Sequence, residues 1–181
     1  NRLLLKADIP WTYVDLIRAY FLYMRQLGSS YDSDATRDVL EKNSTIVQAL
    51  TELFRVKFDP SIAGLSATEV CDKRRELIKR ASQQVEKLID VVSDLTSDLL
   101  LRQFYNLINA TLRTNFYRGN PMQGRQLVLK LDPNQIERAP EPRPYREIFV
   151  HHPYVSGLHL RGGPVARGGI RWSDRRTDFR A

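Results

Sequence analysis

Apolar residues recur at helical spacing over most of the chain and at strand spacing near its end. Trp11, Val14, Ile17, Phe21, Met24 and Leu27 follow one another at steps of three and four. That spacing puts them on one stripe and predicts an amphipathic helix over 11–27. Pro10 stands where a helix start tolerates it. Gly28 supplies the stop, because glycine enters the left-handed conformation at little cost. A second helix is predicted over 33–57, with Ser33 or Asp34 as its cap and Val39, Ile46, Leu50, Leu53 and Phe54 as its buried face. Asp59-Pro60 ends it, since proline forces the preceding residue into extended geometry.

A third and longest helical stretch opens on Ser66-Ala67-Thr68-Glu69, which has the spelling of a capping box. Val70, Leu77, Ala81, Val85, Leu88, Val92, Leu95 and Leu99 then run at coiled-coil-like steps. Ser93-Asp94 through Ser97-Asp98 predicts a kink, because these side chains compete for backbone hydrogen bonds. A continuation through Leu100, Phe104, Leu107, Ile108 and Leu112 is predicted to end near Phe116, before Gly119-Asn120-Pro121.

The texture then changes. Residues 126–131 alternate as a strand, and Asp132-Pro133-Asn134 reads as a turn. The alternate prolines at 140, 142 and 144 exclude a helix there. Residues 147–150 and 157–161 read as two more strands. The pattern is therefore α+β: a mainly α-helical bundle or arm over 1–120, then a β-rich region over 121–181, with the boundary near Gly119 to Gly124.

Composition narrows the class. The chain has 181 residues, 42% hydrophobic and 27% charged, which suffices for a real core. No stretch approaches the ~20 apolar residues of a membrane span, and the start lacks the pattern of a signal peptide. The absent initiator Met leads us to expect a piece of a longer protein. One cysteine, Cys71, excludes an internal disulfide framework and reads as a helix-packing residue.

The net charge of +7 is unevenly spread. Residues 1–60 hold eight Lys/Arg and eight Asp/Glu, whereas 151–181 hold six Arg against Asp174 and Asp178. A basic excess among glycines predicts an anionic partner. The segment 157–181 reads as a strand, a glycine-rich loop and then a helix that Ser173 or Asp174 would cap. Arg161, Arg167 and Arg171 lie in or beside that loop, and guanidinium forks bind carboxylates and phosphates bidentately.

Other chemistries fit less well. Arg161-Gly162-Gly163 and Arg167-Gly168-Gly169 spell two RGG triplets, as in RNA-binding tails. Leu158, Leu160, Val165, Ile170 and Trp172 are too apolar for such a solvated tail, so no nucleic-acid partner is expected. His151 and His152 are adjacent on a strand and so point to opposite faces, which argues against a metal pair. His159 and Arg161 share a strand face and could stand near the anion site. The Lys73-Arg74-Arg75 and Lys79-Arg80 clusters read as the wet face of a helix.

The run Val165-Ala166-Arg167-Gly168-Gly169-Ile170-Arg171-Trp172-Ser173-Asp174-Arg175-Arg176 closely resembles the signature of the large NAD-dependent glutamate dehydrogenases. Leu112 through Tyr117 and Trp11 through Gln26 also look like that family. The smaller glutamate dehydrogenases show a more distant similarity, a Gly-Pro-x-Lys-Gly-Gly-Ile-Arg type of loop. Gly163 through Arg171 resembles that loop with one extra residue after the proline. The family's lysine there binds a carboxylate of glutamate, and Arg167 stands at its position.

The resemblance implies that residues 121–181 hold the first strands and glycine-rich loop of an α/β substrate-binding domain. It implies Arg167, Gly168, Gly169 and Arg171 as substrate-binding residues for glutamate and 2-oxoglutarate. It further implies NAD bound by a downstream domain, no catalytic residue within this chain, and a cytoplasmic homo-oligomer with no membrane partner. The isolated chain is then expected to be inactive. The competing reading is a non-catalytic helical interaction module with a basic loop for an anion or nucleic acid.

Overall fold

The computed structural model describes residues 2–62, 67–118, 126–165 and 170–172. The chain divides into two compact units: Asn1–Val14 with Asp32–Ile108, and Asp15–Tyr31 with Asn109–Ala181.

The first unit is helical. It contains α1 (Arg2–Ala7), the first turn of α2 (Trp11–Gln26), α3 (Ser33–Lys42), α4 (Ser44–Phe58), α5 (Ala67–Ile89) and nearly all of α6 (Leu95–Ala110). The core is α4, where Ile46, Val47, Leu50, Leu53, Phe54 and Val56 are buried and pack against α5. Leu100, Leu101, Phe104 and Leu107 of α6 are buried as well.

Caps and crosslinks explain the helix ends. Asp32 caps α3, accepting from the Asp34 and Ala35 amides at 2.8 and 3.2 Å, one residue earlier than expected. The predicted second helix is two helices, broken at Asn43, whose amide group donates to the Val39 carbonyl at 2.8 Å. Between α5 and α6, Asp94 accepts from the Ser97 amide at 2.8 Å. The Ser97 hydroxyl and amide hold the Asp94 carboxyl below its ordinary value. Arg102 spans the break, reaching Asp90 at 2.7 Å and Asp98 at 3.0 Å. Lys57 donates to the Ile108 carbonyl at 2.9 Å, in the last turn of α6. Burial pushes the Lys57 ammonium down to about 8.

The coiled-coil reading of α5 holds only in part. Val85 and Ile89 are buried, whereas Leu77 and Leu88 are half-buried. Val92 follows the end of the helix at Ile89 and lies in the linker. Lys73, Lys79 and Arg80 are exposed, as expected of a wet face. The expected capping box at Ser66 lies outside the described residues, as does the Cys71 side chain.

The second unit is a sheet with the remainder of α2 on it. Five antiparallel strands lie in chain order: β1 (Thr111–Thr114), β2 (Leu127–Leu131), β3 (Arg146–His152), β4 (Val155–Arg161) and β5 (Ile170–Trp172). Strict burial alternation in β2 and β3 separates a helix-covered face from a half-exposed one. Leu127, Leu129, Leu131, Phe149, Leu158 and Leu160 fill the covered face.

Two tyrosines of α2 meet that face. The Tyr20 and Thr111 hydroxyls share a 2.8 Å hydrogen bond. The Tyr23 hydroxyl donates to the buried Glu147 carboxyl at 2.7 Å, and its ring lies 5.5 Å from that of Phe149. Gly28, at φ 88°, ends α2 in a Schellman turn: its amide donates to the Arg25 carbonyl and the Ser29 amide to the Met24 carbonyl.

The helix expected to run to Phe116 stops at Ala110, and Thr111–Thr114 is the edge strand β1. Two features favour the strand. Thr111 and Thr114 are β-branched, which suits a pleated surface. The Thr111 hydroxyl finds Tyr20, and the strand pairs with β2 through an irregularity between Thr111 and Arg113.

Candidate functional site at the basic edge of the sheet

The half-exposed sheet face gathers cations by register. Arg113 stands opposite Lys130, Lys130 opposite Ile148, Ile148 opposite His159, and His159 opposite Arg171. These five positions form one transverse row across the whole sheet. In the neighbouring row Arg146 stands opposite Arg161.

Like charges placed directly opposite each other destabilise a sheet. Arg113–Lys130 and Arg146–Arg161 are two such pairs. Arg146 is compensated by Asp132 at 3.2 Å, with its guanidinium 4.2 Å from the Tyr145 ring centre. Among the described residues no carboxylate pairs with Arg113, Lys130 or Arg161. The face therefore carries uncompensated positive charge, which favours an anion.

Arg161 closes β4 at the mouth of the glycine-rich loop. Its Nη2 donates to the Pro164 carbonyl at 3.2 Å, folding the side chain across Gly162 and Gly163. A Cβ placed on either glycine would meet nothing within 4 Å. The described residues therefore do not demand glycine there for packing. His159 lies two residues back on the same face and is half-buried, yet its Nε2 is buried without a hydrogen bond among the described residues.

Of the expected substrate-binding residues, Arg167, Gly168 and Gly169 lie outside the described residues. Arg171 sits in β5, which pairs antiparallel with β4, opposite His159. The expected helix after Trp172 also lies outside the described residues. Lys130, Arg113 and Arg146 escaped the sequence reading. Residues 126–131 read as a strand, but the alignment of Lys130 with His159 required the register of three strands.

The histidine pair divides as strand geometry requires. His151 faces α2 and is only 3% exposed, while His152 is half-buried on the other face. His151 Nε2 lies 3.5 Å from Asp15. His151, together with Arg18 at 3.0 Å, keeps the Asp15 carboxyl below its usual range despite its partial burial. Among the described residues no group of three His, Cys, Asp or Glu could hold a metal, and no helix is long and apolar enough to cross a membrane. In the helical unit a groove of ≈ 470 Å³ between the α3–α4 and α5–α6 junctions has only Lys42 and Asp94 as charged lining residues.

These features define an α+β chain whose antiparallel sheet gathers basic residues on its half-exposed face. Residues 84–181 match the family described as bacterial NAD-glutamate dehydrogenase, catalytic domain, and residues 1–60 match glutamate dehydrogenase, helical motif 3. The chain belongs to the bacterial NAD-glutamate dehydrogenase family. The NAD-specific glutamate dehydrogenases of Pseudomonas aeruginosa and Halomonas elongata are each 42% identical to it, and that of Mycobacterium tuberculosis 41%, each over 99% of this chain. The chain spans 11% of the length of each of these relatives.

Proposed function

We propose that this chain is the part of an NAD-dependent glutamate dehydrogenase that begins the substrate-binding half of the catalytic domain. The reaction is oxidative deamination of L-glutamate to 2-oxoglutarate and ammonium, with hydride transfer to NAD. The family match over 84–181 carries this reading. The charge of the hairpin supports it, since glutamate and 2-oxoglutarate both present carboxylates to a cationic surface.

In this reading the division between helical scaffold and catalytic region falls near residue 120. Arg167, Gly168, Gly169 and Arg171 hold substrate carboxylate, the arginines by charge-assisted hydrogen bonds and the glycines by close backbone approach. The proton-transfer and carboxylate-binding lysines, and the NAD site, belong to the remainder of the polypeptide. Such an enzyme would work in amino-acid catabolism as a cytoplasmic homo-oligomer.

The test is NADH formation by the purified full-length protein with L-glutamate, and NADH consumption with 2-oxoglutarate plus ammonium. We expect turnover in both directions, and none from the isolated 181-residue chain. A full-length protein that reduces NAD with another amino acid but not with glutamate would overturn the substrate assignment.

A further inference from the structure

We propose that Arg161, with His159 beside it, is a second carboxylate-binding element for the substrate, separate from the glycine loop that follows. This rests on the dehydrogenase reading above and adds residues to that site. Three observations carry it.

First, Arg161 stands opposite Arg146 across β3 and β4, and only Arg146 has a carboxylate partner among the described residues. Like charges directly opposite destabilise a sheet, and Asp132 lies on Arg146, so the Arg161 charge has no carboxylate of its own among the described residues. Second, the Arg161 guanidinium has five N–H donors and spends one on the Pro164 carbonyl. The rest of the fork is left for a planar, bidentate acceptor such as a carboxylate. Third, the His159 Nε2 is buried on the same strand face without a hydrogen bond among the described residues. Such atoms are rare in folded proteins and call for a partner.

Alternate residues of one strand lie roughly 6.6 Å apart, from the rise of about 3.3 Å per residue. One small dianion can therefore touch both side chains. None of the described residues lies within 4 Å of a Cβ built on Gly162 or Gly163, so none of them bars such a molecule from the strand end. Arg161 is a binding residue here and takes no part in bond breaking.

The experiment uses steady-state kinetics of the full-length protein with Arg161→Gln, Arg161→Lys, His159→Gln and His159→Phe. Arg161→Gln should raise KM for both glutamate and 2-oxoglutarate by about tenfold, the scale of one charge-assisted contact. KM for NAD should stay within a factor of two. Arg161→Lys should recover part of the loss. His159→Gln, which keeps a polar group, should lose less than His159→Phe. Unchanged substrate KM in Arg161→Gln overturns the proposal, as does an equal rise in the KM for NAD, which would mark a structural role. A wild-type protein without glutamate turnover would instead overturn the dehydrogenase reading on which the proposal stands.

Discussion

Removing one hydroxyl from Tyr23 should cost more than removing one from Tyr20, although both rings are fully buried on the same helix. The difference lies in the acceptor. Tyr20 shares its hydrogen bond with a neutral hydroxyl, that of Thr111, at 2.8 Å. Tyr23 donates at 2.7 Å to the carboxyl of Glu147, which is 0% exposed. A typical hydrogen bond contributes about 0.5–1.5 kcal/mol net, whereas taking a donor from a fully buried polar group costs about 1–3 kcal/mol. Both substitutions to Phe keep the ring and its packing, so the ring–ring contact of Tyr23 with Phe149 survives. We expect Tyr20→Phe to cost about 1 kcal/mol and Tyr23→Phe about 2 kcal/mol. Urea unfolding of the 181-residue chain measures both, provided the slope with denaturant is unchanged between variants. A Tyr23→Phe loss below about 0.5 kcal/mol, the scale of ordinary surface substitutions, would refute the argument. So would a loss smaller than that of Tyr20→Phe. The acid would then not depend on this phenol.

Two further predictions concern pH. Lys57 titrates at about 8 in the folded chain, below its ordinary 10.5, so between those values the unfolded chain binds more protons. Stability should therefore rise with pH across that window, and Lys57→Met should abolish the rise in a series of thermal midpoints. Asp94 is lowered from 3.8 by its cap to Ser97, so its contribution is present above that value and lost as pH falls through the lower folded one. Asp94→Ala should lower the thermal midpoint at pH 7, and the gap to wild type should close in strong acid; a constant gap would mean that Asp94 does not act as a charged cap.

The elements read best from sequence were those with local signals. Pro10 and Gly28 bracket α2 because one proline and one left-handed glycine suffice to start and stop a helix. The strands β2 and β3 were likewise read from their own residues, over 126–131 and 147–150. Elements set by distant partners were not. The apolar stripe of α6 continues through Leu112, and only the pairing of Thr111 with Leu131 and its bond to Tyr20 turn the chain into β1. Helix α1 is short and takes its last-turn support from Gln48, 41 residues away, which donates to the Ala7 carbonyl. In α5 the heptad spacing put weight on Leu88 and Val92, but the helix ends at Ile89 and buries that residue instead.

The candidate site divides in the same way. The arginines and glycines of the loop are spelled out in sequence and carry the family resemblance. The basic row in which Arg171 stands is invisible there, because Arg113, Lys130 and His159 become neighbours only through three strand pairings.

The most direct test of the central claim is the Arg167→Ala substitution in the full-length protein, with glutamate and NAD varied independently. The loop after β4 is proposed to hold substrate carboxylate, so losing one guanidinium removes roughly 1.5–3 kcal/mol, or about ten- to a hundredfold in apparent affinity. We predict that rise in KM for glutamate and for 2-oxoglutarate, no change in KM for NAD, and partial recovery in Arg167→Lys. A raised KM for NAD with glutamate KM unchanged would contradict the account and make Arg167 a nucleotide-side or structural residue.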